Sequence, residues 1–161
     1  MSRVVEIITA SSPNSPAESR REIRAVPGRG LEGDRYFLGT GTFAKNPQQP
    51  DFEVTLIEQE AIEAFARESG LAFSAAHARR NLVTSGVALN DLVGVEFTVG
   101  AVRIKGIRLC EPCTYLAKTT FPEVLRGLVH RGGLRAQILS EGILHVGDAI
   151  VCPTSSGTKA T

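Results

Sequence analysis

The chain has 161 residues, 42% of them hydrophobic and 22% charged, with a formal net charge of +1. This is ordinary globular usage, with length for one domain and a substantial core. No apolar run approaches the roughly 20 residues that cross a bilayer, the N-terminus lacks the apolar core and cleavage site of a signal peptide, and three cysteines are too few for a secreted disulfide scaffold, so a cytoplasmic protein with no membrane partner is expected.

In chain order, the β-branched alternation of Arg3–Ala10 predicts an opening strand. Residues 11–22 are polar and rich in Pro and Ser, which predicts a loop, and Ile23–Val26 a short strand. Pro27–Tyr36 holds three glycines in six positions and predicts an irregular loop with positive φ. Thr40–Asp51 reads as another polar loop. Phe52–Ile57 predicts a strand that runs into a helix over Glu58–Glu68, where Ala61, Ile62, Phe65 and Ala66 share one face and Gly70 supplies the stop. Arg80–Thr84, Val95–Val99, Val102–Leu109, Leu134–Leu139 and Ala149–Cys152 read as strands. Pro122–His130 has helical spacing at Val124, Leu125, Leu128 and Val129. Residues 141–148 read as a turn and connector, and residues 153–161 as a frayed tail. Six to eight short strands with two good helices make no βαβ rhythm. The expected fold is mainly β (α+β), a closed or barrel-like domain over residues 1–152 with a few peripheral helices.

The near-neutral total hides an asymmetry. Residues 103–135 carry seven Lys or Arg against Glu111 and Glu123, a local +5 on a remainder of −4. A compact positive region suits a small anionic ligand, whereas a nucleic-acid binder shows a larger basic excess with interleaved aromatics, and this chain has no Trp. Solvated strand and helix faces would give the same composition.

The most pointed chemistry lies in Arg108-Leu109-Cys110-Glu111-Pro112-Cys113. A thiolate is a nucleophile, a sulfur carrier or a soft metal ligand, and positive neighbours favour that form. Cys110, Cys113, His145 and Cys152 could supply four zinc ligands, but without a second closely spaced pair. A dithiol redox pair of Cys110 and Cys113 wants a βαβ setting that the chain lacks, and a bland pair of buried thiols is also open. Pro112 bends the chain before Cys113, which falls near the start of a helical segment where amides favour a thiolate. Cys113 is therefore the residue expected to act, with Cys110 packed at a strand end. Arg79-Arg80-Asn81 and Arg108 offer forks for phosphate or carboxylate. In His130-Arg131-Gly132-Gly133-Leu134-Arg135 the glycine pair allows close backbone approach or an amide nest beside two arginines and an imidazole. The same glycines could instead end the preceding helix.

Several segments in order resemble the MOSC domain, named for the C-terminal part of molybdenum cofactor sulfurases. They are Gly30-Leu31-Glu32-Gly33-Asp34-Arg35-Tyr36, Val54-Thr55-Leu56-Ile57-Glu58, residues 79–87, Leu92-Val93-Gly94, Cys110-Glu111-Pro112-Cys113, residues 131–136 and Val146-Gly147-Asp148. The resemblance spans about residues 3–152 and is to the stand-alone bacterial type. It implies a mainly β barrel that binds molybdenum cofactor (molybdopterin), with Cys113 as sulfur carrier or molybdenum ligand. It further implies sulfur transfer to the cofactor or reduction of N-hydroxylated compounds, hence an enzyme. A cofactor-delivery module and a dithiol redox protein are the alternatives. Arg80, Asn81 and Arg108 fall in matching cofactor-proximal segments, and His130, Arg131, Gly132, Gly133 and Arg135 complete the expected binding set. No pyridoxal-phosphate desulfurase part is present in the 161 residues, so a sulfur donor, or a flavin or iron–sulfur reductase, is the expected partner, with no nucleic acid.

Overall fold

The computed structural model describes residues 2–12, 15–38, 53–112 and 114–153, without the side chains of Tyr36, Thr114, Tyr115 and Thr119. The strands are β1 (Arg3–Thr9), β2 (Glu18–Arg20), β3 (Glu22–Val26), β4 (Gly30–Leu31), β5 (Val54–Glu58), β6 (Leu82–Ser85), β7 (Glu96–Val99), β8 (Val102–Leu109), β9 (Leu134–Ile138), β10 (Gly142–His145) and β11 (Ile150–Val151). The helices are α1 (Arg35–Leu38), α2 (Gln59–Ser69), α3 (Ala75–Ala78), α4 (Thr114–Thr119) and α5 (Val124–Gly127).

Eight strands form one sheet in the order β11-β7-β8-β9-β5-β6-β1-β2, antiparallel except for β5 beside β6. The sheet curls until its far sides meet. Arg3 bridges Ala149, Val4 N donates to Asp148 O at 2.9 Å, and Ile150 N donates to Ser2 O at 2.9 Å. The barrel is thus zipped at this seam. A second sheet, β10-β3-β4, lies against it.

Strand alternation explains the filling. Every second side chain of a strand faces the same way, and Val102 and Ile104 of β8, Leu134, Ala136 and Ile138 of β9, and Phe97 and Val99 of β7 all enter one apolar cluster. Ile23, Ala25, Leu31 and Leu144 from the smaller sheet join it. A second cluster forms on the outer side of β1, β5 and β6, where Ile8, Ile57 and Val83 meet the helices. There α2 buries Ala61, Ile62 and Phe65, the Phe65 ring standing edge-on to Phe73 at 5.1 Å. Gly70, at φ 73°, ends the helix in the left-handed conformation that glycine permits.

Several elements differ from expectation, among them β4, a two-residue strand inside the segment read as an irregular loop. Residues 142–145, read as connector, are β10, paired with β3 from Gly142↔Ala25 to His145↔Glu22. The loop 11–22 contains the short edge strand β2. The helix expected over Pro122–His130 is regular only at Val124–Gly127; Gly127 lies where a Cβ would collide with the Phe65 ring, and His130 takes φ 62°. Residues 40–51 and 154–161 lie outside the described residues.

Candidate functional site

β8 leads to Cys110, which is 1% exposed. Its backbone N donates to Gly133 O at 2.7 Å. Arg80, the second residue before β6, sends its guanidinium to the same place: Nε donates to Gly132 O at 2.9 Å and Nη2 to Cys110 O at 3.3 Å. Arg80 is only 9% exposed, and among the described residues it has no carboxylate partner.

The glycine pair is where two backbones close on each other. A Cβ on Gly132 would stand 2.5 Å from the Cys110 carbonyl oxygen and 3.1 Å from Pro112 Cδ. On Gly133, at φ 120°, it would collide with the Leu56 carbonyl oxygen. Both glycines are buried, so the close approach expected for a ligand is made by the chain's own Cys110, Pro112 and Leu56. Neither glycine caps a helix, since α5 ends earlier.

Cys113 lies outside the described residues. Its flanks are placed: Pro112 packs near Gly132, and α4 begins at Thr114, with Leu116 and Ala117 buried in the second cluster. Glu111 accepts from His130 twice, from backbone N at 2.8 Å and in a 3.0 Å contact with Nδ1, while His130 O accepts from Asn90 Nδ2 at 2.7 Å. His130 is thus tied to the cysteine turn through an acid that sequence reading did not single out. Two described non-glycine residues have positive φ, Arg79 at 57° and His130 at 62°. They precede Arg80 by one residue and Gly132 by two, so backbone strain gathers on both sides of the Arg80–Gly132 bond.

The other expected site residues are dispersed. Asn81 is 0% exposed; its Oδ1 accepts from Thr55 N at 3.0 Å and its Nδ2 donates to Ile8 O at 3.1 Å, which ties β1, β5 and β6 together. Arg131 turns toward α2, donating to Gly127 O at 2.7 Å and to Glu68 at 2.6 Å, and this bond holds the Glu68 carboxyl below its ordinary range. Arg135 is 8% exposed and sits opposite Arg108 across β8 and β9. Two residues were missed: buried Asp34, which accepts from Ala10 N at 3.0 Å, and Arg35, whose Nη1 lies 3.2 Å from Asp34. The adjacent acid and base after a glycine-rich loop were the available signal. Arg79, read with Arg80 as an anion fork, has a carbonyl that accepts from Arg35 and a guanidinium that donates to Ser12 O and Ser15 O.

Among the described residues no three metal-ligating side chains gather. Cys152 follows β11, and His145 sits on the other sheet beside Glu22 and Asp148. Burial pushes the Cys152 thiol above its ordinary value. A cleft of about 620 Å³ between α2 and α5 is lined by Phe65, Glu68, Pro122, Leu125 and Arg126 among others, not by the cysteine turn.

A curled, mostly β barrel with a cysteine turn, a buried arginine and few helices defines a class, and the MOSC domain profile matches residues 33–151. The chain belongs to the MOSC domain family. Its fold is similar to YuaD from Bacillus subtilis, with a TM-score of 0.77 at 14% identity, covering 93% of this chain and 94% of that one. YiiM from Geobacillus stearothermophilus gives 0.73 at 14%, covering 96% and 76%, and YiiM from Escherichia coli gives 0.65 at 19%, covering 94% and 70%. No curated protein matches the sequence. No described helix is long and apolar enough to cross a membrane.

Proposed function

We propose that the Cys110–Gly133 end of the barrel binds molybdenum cofactor, a pterin dithiolene bearing a phosphate, and that Cys113 is its sulfur carrier or molybdenum ligand. The observation that supports this reading is Arg80. A guanidinium more than nine-tenths buried, with two carbonyls as its partners among the described residues, is under-compensated by them, because removing a charge from water costs several kcal/mol and neutral dipoles offset part of that. An anion at this end offsets the remainder, so the residues present fit an anionic group.

In this reading Arg80 and Arg108 hold the anionic parts of the cofactor, and Cys113 offers a soft thiolate or a persulfide. Asp34, Arg35 and Arg79 brace the Arg80 segment, and Asn81 fixes where that segment leaves the sheet. When bound, the cofactor supplies a metal centre for oxygen-atom or sulfur chemistry. Sulfur transfer requires a sulfur donor, and reduction of an N-hydroxylated compound requires an electron donor. The buried Cys110, held by its own backbone N and O, disfavours the dithiol alternative.

Anaerobic purification followed by molybdenum and pterin assay tests the reading. The wild type is expected to carry both, and Cys113→Ser to carry at least about tenfold less molybdenum, the loss typical when a metal site is perturbed. A Cys113→Ser protein with undiminished molybdenum and activity removes the assigned role.

A further inference from the structure

The Glu111–His130 pair is chemistry that the cofactor reading does not use. Glu111 stands between Cys110 and Pro112 in the cysteine turn. Both of its carboxylate oxygens go to one residue: Oε1 accepts from the His130 backbone N at 2.8 Å, and Oε2 lies 3.0 Å from Nδ1. The His130 carbonyl in turn accepts from Asn90 Nδ2 at 2.7 Å. Three bonds therefore hold a histidine whose φ of 62° is a conformation that side chains seldom take.

This fixing does not serve packing. The His130 side chain is 74% exposed, and Nε2 has no partner among the described residues. An ionised carboxylate only accepts, so Nδ1 carries the hydrogen in the Glu111 contact and the neutral ring presents Nε2 as a bare acceptor. The same carboxylate stabilises the ring once Nε2 takes a proton, the division of roles between carboxylate and imidazole in nucleophile activation. The other charged groups on the surrounding elements leave this arrangement alone. Arg131 is engaged with Glu68 and Arg80 with two carbonyls, while Asp91 beside Asn90 and Arg126 on α5 make no described bond to His130.

We propose that His130 is the proton acceptor for the Cys113 thiol and that Glu111 is its positioning residue. Two residues of chain span at most about 7 Å, so Cys113 is the next ionisable group along the turn from Glu111. In the step the S–H bond breaks, the proton goes to Nε2 and the electron pair stays on sulfur, with nothing oxidised or reduced. The product is a thiolate with an imidazolium, the form in which sulfur is a nucleophile or a soft ligand. The proposal rests on the role given to Cys113 and supplies the base that this role requires.

The test is iodoacetamide alkylation of the full chain without cofactor, located at Cys113 by mass spectrometry, so a failure of cofactor binding leaves it readable. His130→Asn, a residue that tolerates positive φ, is expected to slow alkylation about tenfold in mildly acidic solution and to match wild type in alkaline solution, where the thiol ionises unaided. Glu111→Gln should act in the same direction by a smaller factor, and His145→Asn, on the other sheet, should change nothing. Nitrogen-15 NMR of the wild type should show the Nδ1–H tautomer for the neutral His130 ring, and Glu111→Gln should lose that preference. Thermal melts check that each variant is folded, and the wild-type spectrum stands whether or not one is. Coincident pH profiles for wild type and His130→Asn, a loss that persists in alkaline solution, or an Nε2–H tautomer in the wild type overturns the proposal.

Discussion

Arg80 Nε donates to the carbonyl oxygen of Gly132, fifty-two residues along the chain, at 2.9 Å. That bond and its partner at Cys110 O join the start of β6 to the cysteine turn across the sheet. Arg80→Ala leaves two buried carbonyls without donors, and each such group costs about 1–3 kcal/mol. Losing the desolvated charge offsets part of this, so a net loss of about 2 kcal/mol in urea unfolding is expected. Arg80→Lys keeps the charge but lacks the fork and should fall between the two. An alanine variant as stable as wild type would show that the clamp is incidental.

The two glycines with positive φ at Gly133 and Gly147 give an internally controlled comparison. Gly147, at φ 97°, has nothing within 4 Å of an added Cβ, so Gly147→Ala carries only the conformational strain, about 1 kcal/mol. Gly133→Ala adds a collision with the Leu56 carbonyl and is expected to lose more than about 3 kcal/mol or fail to fold. Equal thermal melting of the two variants would contradict the close backbone approach.

Asn81 makes a different prediction from the arginines. Its amide is enclosed between Thr55 and Ile8, so Asn81→Ala should destabilise by about 2–4 kcal/mol through the groups it leaves unpaired. Asn81→Asp replaces the donor to Ile8 O with a second acceptor and should do as badly, despite its near-identical shape. If Asn81→Asp kept full stability and lost only cofactor, Asn81 would be a ligand contact and not a brace.

Glu53 predicts a pH dependence. Burial pushes its carboxyl above the ordinary value, with the backbone N–H groups of Ile138 and Gly28 working the other way. The folded state therefore binds the proton more tightly than the unfolded chain. Its stability contribution is full below the unfolded value and is lost as pH rises through the folded one. Both N–H groups reach the same oxygen, Oε1, so Glu53→Gln retains an acceptor for each without the charge. Glu53→Gln should lack this falling limb, so that its stability relative to wild type rises between mildly acidic and neutral pH. Parallel pH profiles for the two proteins would contradict the effect of burial.

Much of the barrel was legible because its strands announce themselves by two-residue alternation. Val102–Leu109 matches expectation end to end, and Arg3–Ala10 differs from β1 by one residue. β10 was illegible because only Leu144 of its four residues is buried, so no period survives. In residues 122–130 the spacing put four apolar side chains on one helical face, yet only Val124 and Leu128 are buried while Leu125 and Val129 stay exposed. Gly127 had a tertiary reason to be there, the Phe65 ring, which no local pattern carries. The candidate residues were legible as a set of charged and glycine positions, but not where the fold places each of them. Local sequence could not say that Arg131 faces Glu68, that Asn81 is enclosed, or that Glu111 holds His130, because each depends on a partner 19 to 73 residues away.

The seam between Val4 and Asp148 has a consequence for how the domain can be handled. Because Ser2 and Ile150 are hydrogen-bonded neighbours, the polypeptide leaves the barrel at the place where it enters. A short linker could therefore join residue 2 to residue 150 and new ends could be opened at an exposed turn such as Gly100-Ala101, giving a circular permutant with the same barrel. By the same geometry the unit can be spliced whole into a surface loop of another protein, since its two attachment points lie side by side.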